Sequence, residues 1–506
     1  MWAPKPPQWS ALTTVVSKCE ADEFQKELDD YVFDRDHIIL PNDYGYTIST
    51  KLKDIICTCT HTNIGLQQIL PNSLLDEEVI SYPQCPRVLF TAFMRQLRDI
   101  NSDKIKENTI NEFHSYCDKV FMQEIEPLLE NFTYDVEAWM NSLETKAKQK
   151  EVLPFYEKYK KGILSYRELE DNLYKMFAKK EKQIIQTNPK VKYPKCRAIS
   201  ACSAASKFVG GPVIKALEYL FNGRVRGYKL SFDGKACKNW SEIEKYYDDS
   251  YDRGYVHSVD IDGSAWDSTQ RDHMKYMTRK IYHYLVEHNK IHHVDPAIFL
   301  KTMTAKYRSL RAVNYMEGKS VTVFHAIVKA TTLSGSTDTM FDNTMANKCV
   351  TQFSMLKCGL TDEEYLPGCS GDDGSTLLRR IPPDMKNIIT TTWEELGLYP
   401  KMVDIGDYSD ITFCSTNVIQ YKQEGKVLHK VVRKLDRMTP LSHYTEKIGM
   451  SIANRKYYYY ELARGLDTWA HDMPLYGDYA KAYRTIAHLI TVPPAPPKDR
   501  KPAKVS

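Results

Sequence analysis

Tyr255-Val-His-Ser-Val-Asp-Ile-Asp262-Gly-Ser-Ala-Trp-Asp267 is the stretch on which the reading of this chain turns. Its first half, rich in β-branched and aromatic residues and closed by Gly263 and Ser264, predicts a β-strand that delivers Asp262 at its end. Further on, Ser334-Gly335-x3-Thr339-x3-Asn343 predicts a chain break and then a helix over 336–350, with Ser or Thr available as its cap. Thr339 and Asn343 stand four apart and so share one helix face. Asn both donates and accepts, which suits a polar stripe that reads a ribose hydroxyl. A third stretch, Gly371-Asp372-Asp373, is preceded by Gly368-Cys-Ser and followed by Gly374-Ser-Thr, and predicts a tight hairpin with acids at its turn.

Singly, each stretch has an ordinary explanation: turn aspartates on solvated loops, or a surface helix with polar decoration. In this order and together they describe a two-metal nucleotidyl-transfer site that selects ribonucleotides. In-line attack of a 3′-hydroxyl on an α-phosphate is served by two Mg2+ ions roughly 3.5–4 Å apart, held by carboxylate oxygens. Three acids brought together repel one another unless cations hold them.

The three stretches resemble motifs A, B and C of the RNA-dependent RNA polymerases of positive-strand RNA viruses, and the resemblance runs over about residues 188–440. Trp266-Asp-Ser-Thr-Gln270 is similar to calicivirus enzymes, whereas Ser-Gly-Ser-Thr-Asp-Thr with Asn343-Thr344 is similar to tombusvirus and nodavirus polymerases. The resemblance implies that Asp262 and Asp372 hold two Mg2+ (or Mn2+) ions with Asp373 in support. It implies that Asp267, Ser334, Thr339 and Asn343 form the network that checks the 2′-hydroxyl of an incoming NTP, and that Gly335 contacts RNA. The fold it implies is α+β, a right hand of fingers, palm and thumb whose palm is a small antiparallel sheet backed by helices. A reverse transcriptase is the nearest rival, but Ser370-Gly-Asp-Asp and Asn343 depart from its pattern. A non-catalytic RNA-binding replication protein is the rival from another class, and the presence of all three acids speaks against it.

Further segments fall in the same order. Between 175 and 197 stand Lys175, Lys179, Lys180, Lys182, Lys190, Lys192, Lys195 and Arg197, with Glu181 as the opposing charge. Pro189 and Pro194 make the second half an extended loop. Pro194-Lys-Cys-Arg-Ala-Ile199 resembles motif F, which implies that Lys195 and Arg197, with Lys190 and Lys192, meet the triphosphate. Trp393-Glu-Glu-Leu-Gly-Leu-Tyr-Pro-Lys401 predicts a helix end broken at Gly397 and then a loop. Lys401 falls at the motif D lysine, implied to be the general acid for pyrophosphate. Ile411-Thr-Phe-Cys-Ser415 and Val418-Ile-Gln-Tyr421 predict a hairpin resembling motif E, which implies RNA contacts at Phe413, Cys414 and Ser415. Lys430-Val-Val-Arg-Lys434 and Arg437 come next, placing Arg433 and Lys434 along the product.

Composition agrees with these motifs without dictating them. The chain has 506 residues, 42% of them apolar, enough for a large core and several domains. A formal charge of +4 is nearly neutral, so RNA must be bound by local basic lining. Twelve cysteines show no paired secretory framework, and no signal peptide or long apolar run is seen, which predicts a reduced, cytosolic, soluble protein. Asn131-Phe-Thr would accept a glycan only in the secretory pathway. Cys57-x-Cys59-x-His61 with Cys85 is an irregular match to a zinc site, and reduced cysteines are its expected state. The expected domains are 1–205 N-terminal region and fingers, 206–271 palm with motif A, 272–330 a fingers insertion, 331–420 palm with motifs B to E, 421–492 thumb, and 493–506 a disordered basic Pro-rich tail. Helices are predicted over 20–31, 108–131 and 271–288, and the aromatic run at Tyr457 to Tyr460 is expected mostly to pack in a core. The implied setting is the host cytoplasm, in membrane-associated complexes with RNA, NTPs and other viral replication proteins, and with no transmembrane segment in this chain.

Overall fold

The computed structural model describes residues 102–143, 145–170, 173–179, 183–185, 197–228, 240–263, 266–305, 307–316, 319–329, 332–434, 451–470 and 473–491, with isolated short segments elsewhere. Lys190, Lys192, Lys195, Arg437, the Cys57 to Cys85 cluster, the helix expected at 20–31 and the tail at 493–506 lie outside the described residues.

Strand His257–Gly263 is the centre of a four-stranded antiparallel sheet. Val259 and Ile261 are buried, and burial of such side chains contributes about 1.5–3 kcal/mol each. On one side the central strand pairs with Asp373–Leu378, which pairs in turn with Tyr365–Ser370. On the other side it pairs with Pro400–Asp407. Helices Ala204–Phe221, Thr339–Lys357 and Met385–Glu395 pack behind the sheet, and Phe341, Met345, Trp393 and Val259 share one core with them.

The helix Thr339–Lys357 is unusual in having no wet face: every residue from Phe341 through Met355 is buried. Sequence placed it at 336–350. It starts later because Ser336–Asp338 form a turn, with Ser336 N–H bonded to Leu333 O at 2.8 Å. The expected Ser or Thr cap is also corrected. Asp338 occupies the cap position and makes no capping bond, because its carboxylate accepts from Tyr282 Oη at 3.1 Å. The helix expected over 271–288 is Tyr276–Glu287, its first residues being spent in turns such as Met274 N–H to Arg271 O at 3.0 Å.

Met385–Glu395 ends as the sequence predicts, at Gly397. Gly397 has φ +76°, its N–H bonds Glu394 O, and Leu398 N–H bonds Trp393 O, both at 2.9 Å, which closes the last carbonyls. The chain then enters a strand, Pro400–Asp407, in place of the expected loop. Pro400 opens that strand at the sheet edge, where its missing N–H costs no ladder bond.

A seven-stranded sheet stands beside the first. Its centre is the antiparallel hairpin Tyr307–Met316 and Lys319–Lys329, joined in parallel by Leu173–Ala178 and then antiparallel by Ala198–Ala201. A three-stranded sheet, Thr412–Phe413, Thr416–Gln423 and Lys426–Arg433, packs with helices Ile452–Ala470 and Pro474–Leu489 in a second core. Ala463, Ala480 and Ala487 let those two helices approach, while Tyr459, Tyr476 and Tyr483 fill the space around them. Of the tyrosine run, Tyr459 is buried and Tyr457 exposed, as a helix requires of residues two apart, which face nearly opposite ways. Among the described residues no helix is long and apolar enough to cross a membrane.

Candidate active site

The central strand carries Asp262 one step past its last pairing with the hairpin, Ile261 opposite Gly374, so Asp262 and Asp373 end adjacent strands at the same rim. Asp372 occupies the turn before Asp373. That turn has two residues, with Gly371 first at φ +64°, as a type II′ hairpin requires. Asp262, Asp372 and Asp373 are all exposed, whereas Gly371 is buried.

Lys401 approaches from the edge strand. Pro400 pairs with Gly263 and Met402 with Asp262, so Lys401 is the extra residue of a β-bulge. Such a bulge re-aims the side chain it inserts. The Lys401 ammonium lies 3.2 Å from Asp262 Oδ2, with both groups solvated.

Asp267 lies on the short helix Trp266–Thr269 that follows the central strand. Burial pushes its carboxyl up to about 6, and the charge of Asp372 pushes in the same direction. A hydrogen bond from Asn343 and the cations Lys275 and Arg197 oppose the shift. Asn343 is buried, and its Oδ1 has no hydrogen-bond partner among the described residues. The three stretches of the sequence therefore meet: Asp267 bonds Asn343 and feels Asp372.

The loop before the buried helix docks on the strand that comes after the basic segment. Ser334 Oγ donates to Ala198 O at 3.1 Å and accepts from Ser200 N–H at 3.4 Å, while Cys202 N–H donates to Gly335 O at 3.1 Å. A Cβ on Gly335 would stand 2.5 Å from Ser200 O, so the backbones touch where only glycine fits. This contact sets the strand next to which Arg197 emerges, exposed. Thr339 Oγ1 donates into the carbonyls of Leu333 and Ser336, at 2.9 and 3.0 Å, and so ties the loop to the helix start.

At the expected motif E hairpin, Thr412–Phe413 pairs with Thr416–Gln423. Cys414 and Ser415 form its turn with φ +49° and +61°, the left-handed pair of a type I′ turn, which non-glycine residues adopt only under strain. Phe413 is buried in the second core, Cys414 packs against that core half-buried, and Ser415 is half-buried beside it. Arg433 ends the third strand, and Lys434 N–H bonds Ser415 O at 3.2 Å.

Sequence reasoning passed over three sets of residues. Asp260, two before Asp262, is buried, and its Oδ2 accepts from Thr412 N–H at 2.6 Å and Thr412 Oγ1 at 3.0 Å, joining the central strand to the three-stranded sheet. Burial pushes this carboxyl up to about 6, against the bonds from Ser375 and Thr412. Behind the loop lies a buried ionic cluster. Lys275 Nζ pairs Asp342 Oδ2 at 3.2 Å, Thr278 Oγ1 donates to Asp342 Oδ1 at 2.5 Å, and Arg308 donates to Ser336 Oγ at 3.1 Å. Finally, Thr344 and Asn347 bond the turn at Gly371. A signal for Asn347 was present: Asn343, Asn347 and Thr351 recur at four-residue steps along one side of the helix.

Divalent cations are the group this donor set suits, since exposed carboxylates are hard oxygen ligands. The Lys401 ammonium beside Asp262 already marks a place for positive charge. Among the described residues no three acids, histidines or cysteines are gathered closely enough to form a ready ligand cluster, so the carboxylates would have to draw together around an ion. No family model matches the chain, and no curated protein matches it significantly.

Proposed function

We propose that the chain is an RNA-directed RNA polymerase that copies a viral RNA template from NTPs. The observation that carries this reading is the meeting of Asp267, Asn343 and Asp372 at the rim where Asp262 and Asp373 end adjacent strands. In this reading the four-stranded sheet is the palm, the seven-stranded sheet belongs to the fingers, and the second core with its two helices is the thumb.

Two divalent ions, when bound, supply electrostatic stabilisation of the attacking and leaving oxygens. Asp262 and Asp372 would hold them, with Asp373 in support. Arg197, exposed beside Asp267, offsets the charge of the triphosphate, and Lys190, Lys192 and Lys195 of the same segment are assigned the same task. Asn343 takes the 2′-hydroxyl: its Oδ1 is a buried acceptor with no donor among the described residues, and a ribose hydroxyl supplies one. A sugar without that hydroxyl leaves the acceptor stranded, which favours this reading over a reverse transcriptase. Ser334, Gly335 and Thr339 set the loop and helix start that frame Asn343. Lys401 stands at the acid rim, where it would give a proton to the departing pyrophosphate. Cys414, Ser415, Arg433 and Lys434, with Phe413 packed beneath them, are assigned to the product strand. The setting proposed is the host cytoplasm, with membranes reached through other viral replication proteins.

The test is primer-dependent and primer-free incorporation on RNA and DNA templates by the full chain and by Asp262→Ala and Asp372→Ala. Incorporation on RNA that either substitution abolishes, with RNA binding retained in filter assays, is the expected result. Undiminished incorporation in either variant removes that acid from the reaction, and RNA binding without incorporation by the unaltered chain would favour a non-catalytic replication protein.

A further inference from the structure

We propose that Thr344 and Asn347 are positioning residues that fix the Gly371-Asp372-Asp373 turn from inside the protein. The turn exposes its acids but buries Gly371, whose N–H and C=O must find partners away from water. Both find them on one helix. Gly371 N–H donates to Thr344 Oγ1 at 2.8 Å, and Asn347 Nδ2 donates to Gly371 O at 3.2 Å. Each side chain is itself held in the orientation this needs. Thr344 gives its own proton to Met340 O at 2.6 Å, which leaves its oxygen as the acceptor toward the turn. Asn347 Oδ1 accepts from Thr351 Oγ1 at 3.1 Å, which points its NH2 at Gly371.

The peptide immediately before Asp372 is thus clamped by a helix buried over its whole middle, while the carboxylate stays free for a ligand. Partners of this kind behind a metal-binding group typically set affinity by about 10–100-fold. That the fixed acids serve to hold divalent ions rests on the polymerase reading; that the helix fixes the turn does not.

Two measurements on the full chain separate these. Mn2+ binding is followed by electron paramagnetic resonance, and amide hydrogen exchange is followed over residues 365–378. Thr344→Val keeps the shape and removes the hydroxyl. It is expected to weaken Mn2+ binding by about 10–100-fold and to speed exchange in the hairpin, and Thr344→Ser is expected to restore both. Should Thr344→Val fail to fold, Asn347→Ala removes the other bond and carries the same two readouts. Unchanged exchange in the hairpin overturns the inference, whereas a loosened hairpin with unchanged Mn2+ affinity in a chain that binds the ion sustains the clamp and removes its bearing on the ion. A chain that binds no Mn2+, with Asp372→Asn making no difference, sinks the metal reading instead, while faster hairpin exchange in Thr344→Val would still sustain the clamp.

Discussion

Asn343, assigned to the ribose hydroxyl in the proposed reading, is the side chain with the most to lose. Asn343 spends its NH2 on Asp267, and among the described residues its Oδ1 has no donor. A site built to bond a hydroxyl can reject the analogue lacking it by up to about 10^4–10^5, and a solvent-open site reaches only part of that. Asn343→Ala is therefore expected to lower kcat/KM for NTP by well over tenfold more than for dNTP, narrowing the preference. Single-nucleotide incorporation with matched NTP and dNTP checks this, and equal losses on both would make Asn343 a packing residue. The pairing of Asp267 with Asn343 was legible only through the resemblance to polymerase motifs A and B, since their separation of 76 positions in the chain says nothing of their distance in space. Asp260 was not, since nothing in its neighbours distinguishes an acid turned toward Thr412 from one in solvent until the three-stranded sheet is in place.

Among elements, the junction of Gly335 with the strand Ala198–Ala201 decides where Arg197 stands. Gly335→Ala places a methyl against the Ser200 carbonyl, so one of the two segments must move. The expected result is a KM for NTP raised by about tenfold or more, as for Arg197→Ala, with RNA affinity changed less. Because both act through one contact, Gly335→Ala with Arg197→Ala should cost less than the sum of the two, and additive losses in steady-state kinetics would separate the junction from the cation. Local chemistry made several elements readable in advance: the acid-ended strand, the glycine-flanked hairpin and the helix stop at Gly397. The bulge at Lys401 was not readable, because a bulge is defined by the pairing of its neighbours with Gly263 and Asp262 rather than by its own residues. The seven-stranded sheet escaped for a similar reason, its strands being drawn from positions as far apart as Leu173 and Lys329.

Over the whole molecule, buried histidines set a pH limit. His293 lies under the helix Ala204–Phe221, with Nε2 at 3.1 Å from the carbonyls of Phe208 and Val209. Tyr134 Oη accepts from the backbone N–H of His292 and His293, and so donates to His293 Nδ1 at 2.7 Å. Both ring nitrogens are used by the neutral form, and burial pulls the group down to about 4. Unfolded, it would protonate near pH 6.5, so its contribution is complete above 6.5 and is lost as pH falls toward 4. That amounts to about 3 kcal/mol. Thermal melts from pH 7 to 4 should show Tm falling through this window, and less steeply in His293→Gln; parallel curves would assign the acid sensitivity elsewhere. The buried helix Thr339–Lys357 has a consequence of another kind. From it Asn343 reaches Asp267, Thr344 and Asn347 reach Gly371, and Lys348 reaches Glu124, three separate parts of the protein. Since a slip of one residue turns a helix by about 100°, a seating shifted by one residue would break all of these contacts at once. The helix is in effect an index pin, and once it seats, the relative phase of Asn343, the acid turn and Glu124 is decided.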